Sequence, residues 1–191
     1  MTSDFIPFAS PLYFLMLTLL LFSRGMDFLS TWVATPNLAL EGNPLAKKLG
    51  WKLGAIVNII LCVAFALWPL TAIIVITSGL LVAGHNFHAA WLMRTMGEDE
   101  YRRWFIERLA HTPLPFYFAC LLGETAMIAL VGIGLLCFSN VEKVPFAIGL
   151  GIIMNAVIVL FYTTLALVRM RRRFAAEAVA AAHQPPERID A

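Results

Sequence analysis

Charged side chains and histidines in or beside long apolar runs are the residues of this sequence that could do chemistry. A charge at the centre of a membrane-spanning helix costs about 2.5 to 3.5 kcal/mol on insertion scales, so each one needs a partner or water. In that setting carboxylates, imidazoles and basic groups bind ions or relay protons. We predict a substrate or ion site made of Arg24, Asp27, Glu41, Lys52, His85, His88 and Glu124.

Two of these residues, His85 and His88, are candidate metal ligands, because a spacing of three places both on one face of a helix. A carboxylate from Asp27, Glu41 or Glu124 would complete a His-His-carboxylate set. The His-x-x-x-His spacing of helix-borne zinc hydrolases is absent from the sequence, as are a nucleophile elbow and a Gly-rich phosphate loop. The sequence therefore names no catalytic residue and no cofactor, and metal binding is one of several alternatives.

The most motif-like segment leads from the first long apolar run into the second. Asp27 is followed by Ser30 and Thr31, and Glu41 opens a Glu-Gly-Asn-Pro sequence that ends at Pro44. This pattern resembles a group of small uncharacterised bacterial membrane proteins that share an Asp, a Ser or Thr, and then Glu-x-Asn-Pro. The resemblance covers about the first 60 residues. It implies a bacterial membrane protein and no particular chemistry.

The composition is that of a membrane protein. Of the 191 residues, 60% are apolar and 14% are charged, and the mean hydropathy is +0.80, whereas a soluble domain carries about 25% charged residues. We predict a single transmembrane domain over residues 1–173, a cytoplasmic tail over 174–191, the lipid bilayer as the main partner and no nucleic acid. The cysteines lack zinc-type spacing and are expected to be small buried hydrophobes, namely Cys62, Cys120 and Cys137.

Prolines and polar caps divide the chain into helices. Pro11, Pro44 and Pro69 suit the first turn of a helix, and Thr35 stands before a proline and so leaves the helical conformation. The pattern predicts an all-α bundle of five transmembrane helices over about residues 11–35, 44–68, 69–96, 115–138 and 145–169. Between the third and fourth spans, aromatic residues recur opposite charged ones, which predicts an amphipathic helix in the membrane interface.

Basic residues are distributed unevenly around these spans. With the N-terminus outside and the C-terminus inside, the outer side has only Lys143, and the other loop and tail Lys and Arg residues lie on the cytoplasmic side. This asymmetry predicts a multi-pass protein of the cell inner membrane with that orientation. A basic cluster at the end of the fifth span is either a topology signal or a site for anionic lipid head groups. Its members are Arg169, Arg171, Arg172 and Arg173.

Counting 1.5 Å per residue from the cytoplasmic helix ends estimates how deep the polar residues lie. Arg24 and Glu124 come out at about 16 and about 14 Å, which would allow them to pair across helices. Asp27 follows Arg24 at i,i+3 spacing, on the same helical face. The polar residues therefore form one layer in the cytoplasmic half of the membrane, in which Arg24 and Lys52 offset Asp27 and Glu124.

Three functions from different classes fit this layer. The leading one is transport of an ion, a proton or a small polar solute through a cavity that Asp27 lines and the loop with Glu41 gates. The first alternative is a structural or assembly subunit, which docks a homo-oligomer or membrane-complex partner through Gly149 and Gly151 or through the Trp104 helix. The second alternative is a metal-dependent intramembrane hydrolase.

Overall fold

The computed structural model describes residues 5–139 and 143–182 of the chain. In these two ranges the protein is all-helical, without a strand, which confirms the predicted fold class. The predicted tail lies outside the described residues from residue 183 onward. The helices are α1 (Pro11–Ala34), α2 (Pro44–Phe65), α3 (Pro69–Met96), α4 (Glu98–His111), α5 (Leu114–Phe138) and α6 (Lys143–Ala182).

Five of the described helices are long and apolar enough to cross a membrane: α1, α2, α3, α5 and the Lys143–Arg172 part of α6. About 20 apolar residues suffice for a span, and α2, the shortest of the five, has 22 residues. The protein is therefore a multi-pass membrane protein, as its composition predicts. α4 lies between α3 and α5, where the sequence predicts the interfacial helix. Its position in the interface and the orientation of the bundle stay predictions.

Side-chain caps fix where α1 and α2 begin. Ser10 Oγ accepts a hydrogen bond from the Tyr13 amide at 3.2 Å, and Pro11 takes the first helical position, where no intrahelical amide is needed. Asn43 Oδ1 accepts a hydrogen bond from the Leu45 amide at 3.0 Å and is likewise followed by a proline. Both predicted starts thus have a local physical cause.

The bounds of α2 and α6 differ most from the predicted ones. α2 ends at Phe65 and not near Trp68, because the chain turns before Pro69 begins the next helix. Inside α2, Gly50 has φ +66° and ψ −175°, so residues 44–49 are set off from the rest of α2 by a kink that glycine allows. α6 continues to Ala182, since its last residues are rich in alanine, the best helix former.

α1 and α3 run in the same direction and pack closely. Ser23 Oγ on α1 donates a hydrogen bond to the Ile76 carbonyl on α3 at 3.0 Å. Two turns further along, Asn86 Nδ2 donates to Ser30 Oγ at 3.4 Å. A Cβ on Gly79 would lie 2.5 Å from Ser23 Oγ, so a larger residue at this position would displace the hydroxyl from its hydrogen bond. Small and polar residues at such crossings are typical of helix packing in membranes.

α6 packs between α3 and α5 through glycines. A Cβ on Gly149 would lie 2.8 Å from the Gly132 carbonyl oxygen on α5, and a Cβ on Gly151 would lie 2.6 Å from Thr77 Cβ on α3. The prediction that Gly149 and Gly151 form an external docking face is therefore wrong. Both glycines are buried in contacts within the chain, because α6 needs close approach on two sides.

α2 lies beside α1 and meets it at a few points. Tyr13 Oη donates to the Val63 carbonyl at 3.3 Å, and the rings of Phe28 and Trp51 are 6.0 Å apart. Cys62 is buried in this contact, as predicted, whereas the other two cysteines are exposed on α5. The prediction of buried cysteines is therefore wrong for Cys120 and Cys137, because α5 makes close contact mainly with α6 and leaves its other faces open.

Candidate functional site

Three polar side chains meet inside the candidate spans, on the α1 side of the bundle. The Arg24 guanidinium lies 3.1 Å from Asp27 Oδ2, one turn further along α1, and its Nε donates to Asn58 Oδ1 on α2 at 2.8 Å. The side chains of Arg24 and Asp27 are 30% and 17% exposed. We call these three residues the Arg24 cluster. Its charge pair is therefore sheltered by protein but not fully buried.

Glu124 does not join the Arg24 cluster. Its Oε1 lies 3.5 Å from His85 Nδ1, so the predicted pair of Arg24 and Glu124 does not form among the described residues. The reason is the order of the helices: α1 packs on α3 and α5 packs on α6, so α3 and α6 separate the two residues. The polar residues therefore form two groups, one at α1 and α2 and one at α3 and α5.

Glu41 lies in the α1–α2 loop, which we define as residues 35–43, and its side chain is half-buried. Its Oε1 accepts a hydrogen bond from the Asn43 amide at 2.7 Å. Burial raises the pKa of the Glu41 carboxyl above its usual range, the hydrogen bond from Asn43 opposes this shift, and the negative charge of Asp27 adds to it. Glu41 and Asp27 are therefore close enough for the proton on one to affect the other.

Glu98, the first residue of α4, holds the α1–α2 loop. Its two carboxylate oxygens accept hydrogen bonds from the amides of Asn37 at 2.8 Å and Ala39 at 3.1 Å. The Ala39 carbonyl in turn accepts from Lys47 Nζ at 3.0 Å and from Arg102 at 3.2 Å. The loop backbone is thus paired with side chains from α2 and α4, which satisfies polar groups that an apolar loop cannot satisfy itself.

The same loop is tied at both of its ends. Trp51 Nε1 donates to the Pro36 carbonyl at 2.9 Å, and Arg169 from α6 donates to the Gly42 carbonyl at 3.2 Å. Leu38 adopts a left-handed conformation with φ +55°, which is uncommon for a residue with a side chain. These contacts define the conformation of the loop that carries Glu41. They also engage Arg169, the first member of the basic cluster at the end of the fifth span.

An open cleft of about 350 Å³ lies beside the loop. It is lined by Asn37 and Ala39 of the loop and by Arg94, Gly97 and Glu98 at the junction of α3 and α4. The size is within the range of small-molecule sites. Because Glu98 lines the cleft and also holds the loop amides, a solute in the cleft would compete for the same polar groups.

Two predicted site residues do not join either polar group. Lys52 and His88 are both exposed, and neither makes a hydrogen bond or ion pair with the described residues. Nowhere in residues 5–139 and 143–182 do three His, Cys, Asp or Glu side chains come together in a way that could hold a metal ion. The described geometry therefore offers no His-His-carboxylate set, and the spacing of His85 and His88 alone carries no metal site.

Sequence reasoning gave Glu98 no role and treated Arg102 only as a charge on the polar face of an amphipathic helix. The signal that could have found Glu98 is its position: it follows Gly97 at the head of α4, and the α1–α2 loop carries amides that need an acceptor. Only the tertiary structure shows that the two segments meet. A separate unexplained feature is Asn155 on α6, which is 3% exposed and whose Oδ1 has no hydrogen-bond partner among the described residues.

Comparisons with known proteins identify no relative. No protein-family model, no curated protein and no solved structure matches this chain. The resemblance of the segment from Asp27 to Pro44 to small bacterial membrane proteins thus stays a prediction. What the protein does must be argued from its own geometry.

Proposed function

We propose that this protein transports a proton, an ion or a small polar solute across the membrane, with Asp27 as the group that binds and releases the proton. One observation carries the proposal: Asp27 and Arg24 form a partly exposed charge pair, 3.1 Å apart, in the middle of a candidate membrane span. Ionisable residues at such positions mark ion paths and proton relays in membrane proteins. We propose that the N-terminus lies outside and the C-terminus inside. In this orientation nearly all basic residues of the loops and tail lie on the cytoplasmic side, as is typical of membrane proteins.

A purely structural role accounts less well for the Arg24 cluster. Buried ion pairs rarely stabilise a protein more than well-packed apolar residues of the same size would. The close packing between α1 and α3 is already supplied by Ser23, Ser30 and Gly79, without any charge. The charge pair faces the seam with α2, where the helices meet at few points. It is therefore placed where the bundle can open most easily.

The chemistry of the Arg24 cluster suits reversible protonation. When Asp27 takes up a proton its charge is lost, and the attraction to Arg24 is lost with it. Arg24 keeps a partner in that state, because its Nε bonds to Asn58 on α2. The protonation of Asp27 would thus loosen a contact within α1 while the contact between α1 and α2 persists.

Glu41 provides a second carboxyl between Asp27 and the end of the bundle. Burial raises the pKa of Glu41, and the charge of Asp27 raises it further. We therefore propose Glu41, on the loop that borders the open cleft, as the next carboxyl on the path after Asp27. Glu98 holds that loop in place by accepting hydrogen bonds from the Asn37 and Ala39 amides. Breaking these two hydrogen bonds would free the loop and open a path from Glu41 to the cleft.

The proposal is tested by proton flux into liposomes that contain the purified protein. The Asp27→Asn variant keeps the shape of the side chain but cannot carry a proton, so flux should fall to the level of empty liposomes. The matched control is Glu107→Gln, since Glu107 is exposed on α4, lies outside the candidate spans and does not line the cleft. Thermal unfolding of each variant in detergent checks that the fold is kept. Unchanged flux in folded Asp27→Asn protein would refute the role of Asp27.

A second candidate function, that of a subunit in a membrane assembly, is favoured by one observation. His85 and Glu124 lie in candidate spans, yet their side chains are 45% and 49% exposed on the surface of the chain. Polar groups in this position are commonly covered by another helix. The two functions use different faces and do not exclude each other.

A further inference from the structure

We propose that the face around His85 and Glu124 joins two copies of this chain within the membrane. The face is formed by the outward sides of α3 and α5, and we define it by Gly84, His85, His88, Gly123 and Glu124. All five residues are exposed in the described structure. The proposal uses none of the residues of the Arg24 cluster, so it goes beyond the proposed transport function and stands or falls independently of it.

The polar pair on this face is not satisfied within the chain. His85 Nδ1 and Glu124 Oε1 are 3.5 Å apart and do not form a hydrogen bond, and about half of each side chain is exposed. His88, one turn further along α3, makes no hydrogen bond or ion pair with the described residues. Lipid tails offer neither donors nor acceptors, so leaving these groups against lipid is unfavourable. A covering surface must therefore supply polar partners.

The glycines beside the pair leave room for that surface. A Cβ placed on Gly84 or on Gly123 would meet nothing within 4 Å, in contrast to Gly132, Gly149 and Gly151, whose open sides are filled by neighbouring helices. Glycines in spans allow helix backbones to approach closely, as these three do inside the chain. The space above Gly84 and Gly123 is therefore suited to a helix from outside the chain.

A second copy supplies the partners that the face needs. The face carries an imidazole and a carboxylate side by side, so it is complementary to itself when turned by a two-fold axis. His85 of one copy then meets Glu124 of the other, and each carboxylate gains a hydrogen-bond donor. Two-fold symmetric dimers with such isologous contacts are the commonest form of oligomer. In the membrane, hydrogen bonds between polar side chains hold helices together.

The chain contains a reporter for this contact. Cys120 is exposed on α5 and lies four residues before Glu124, on the same side of the helix. Cys137 is also exposed but lies about 25 Å further along α5. In full-length protein that keeps one of these two cysteines and has serine at the other positions, a membrane-permeable oxidant should link Cys120 into dimers in native membranes. The protein that keeps only Cys137 should not be cross-linked.

Two glycine variants separate the contact from general instability. Gly123→Leu fills open space on the proposed face, so it should reduce Cys120 dimers at least tenfold while the protein still folds. Gly25→Leu is the matched control, since Gly25 also has open space around it but lies on α1. Glu124→Gln should weaken the dimer as well, whereas proton flux through Asp27 should not depend on it. Equal cross-linking through Cys120 and Cys137, unchanged dimers in Gly123→Leu, or a different membrane protein linked to Cys120 would overturn the proposal.

Discussion

Asn58 on α2 accepts a hydrogen bond of 2.8 Å from Arg24 Nε on α1. This contact joins two helices that otherwise meet at few points, and it keeps the Arg24 guanidinium beside Asp27. A hydrogen bond to a charged group contributes about 1.5 to 3 kcal/mol, roughly twice the value for a neutral pair. The weakly packed seam between α1 and α2 therefore has a polar contact at the depth of the charge pair. This arrangement underlies the proposed path.

Removal of the Glu98 carboxylate should free the α1–α2 loop. Glu98 accepts two backbone hydrogen bonds there, and charge-assisted bonds of this kind contribute about 1.5 to 3 kcal/mol each. Glu98→Ala should therefore increase hydrogen exchange of the Asn37 and Ala39 amides by about 10- to 100-fold, since 1.4 kcal/mol corresponds to a factor of ten. Exchange can be followed by mass spectrometry in detergent. Glu107→Ala, an exposed change on the same helix, should leave these amides unaffected.

Glu98→Gln gives an internal comparison for the same prediction. Its amide retains one acceptor oxygen, so one of the two loop amides keeps a partner and exchange should increase by less than in Glu98→Ala. If both variants exchange at the wild-type rate, the hydrogen bonds from Glu98 do not hold the loop.

Substitution of Gly79 should destabilise the protein through the crossing of α1 and α3. The new Cβ of Gly79→Ala would lie 2.5 Å from Ser23 Oγ, so the hydroxyl must move and give up its hydrogen bond to the Ile76 carbonyl. The lost hydrogen bond together with local overpacking costs about 1 to 3 kcal/mol. Gly134→Ala is the matched control on α5, where a Cβ meets nothing within 4 Å. Because alanine favours helix over glycine by about 1 kcal/mol in soluble proteins, Gly134→Ala should be neutral or slightly stabilising.

Thermal unfolding in detergent measures both glycine variants. A loss of stability in Gly79→Ala with none in Gly134→Ala is expected. Equal stability of the two variants would contradict the close approach of α1 and α3 at Ser23.

The contribution of Glu41 to stability should depend on pH. Burial raises the pKa of its carboxyl in the folded protein, from an ordinary value of 4.5. The folded state therefore keeps the proton at a pH where the unfolded chain has lost it. It follows that the stabilising contribution is fully present below pH 4.5 and is lost as pH rises through the folded-state pKa.

The difference in unfolding free energy between wild type and Glu41→Gln measures this dependence. Glutamine cannot ionise, so the wild type should lose stability relative to the variant as pH increases from the acid side. A difference that is constant with pH would show that folding does not shift the pKa of the Glu41 carboxyl. A difference that changes in the opposite direction would show that the carboxyl is stabilised in its charged form, as the hydrogen bond from Asn43 alone would do.

The sequence predicts the spans well because their signals are local. Each signal acts over a few residues. The helices α1, α2 and α3 begin at the prolines at positions 11, 44 and 69, Asn43 caps α2, and the apolar runs lie within the helices. The contact between Arg24 and Asp27 could also be predicted from local sequence, because i,i+3 spacing places the two residues on one face of α1.

The relation between helices could not be predicted in the same way. Depth along a span gives the height of a residue but neither the direction it faces nor the helix beside it. Arg24 and Glu124 therefore have similar predicted depths and yet lie on helices that α3 and α6 separate. The contact of Glu98 with the α1–α2 loop joins residues about 60 positions apart, and no local pattern encodes it.

The most direct test of the proposed path is the initial rate of proton entry into proteoliposomes, compared among wild type, Asp27→Asn and Asp27→Glu. A transporter with Asp27 as its proton-binding group should show flux above empty liposomes in the wild type, background flux in Asp27→Asn, and partial recovery in Asp27→Glu, which restores an ionisable carboxyl. Wild-type flux equal to that of empty liposomes, or equal flux in folded wild type and Asp27→Asn, would contradict proton transport through Asp27.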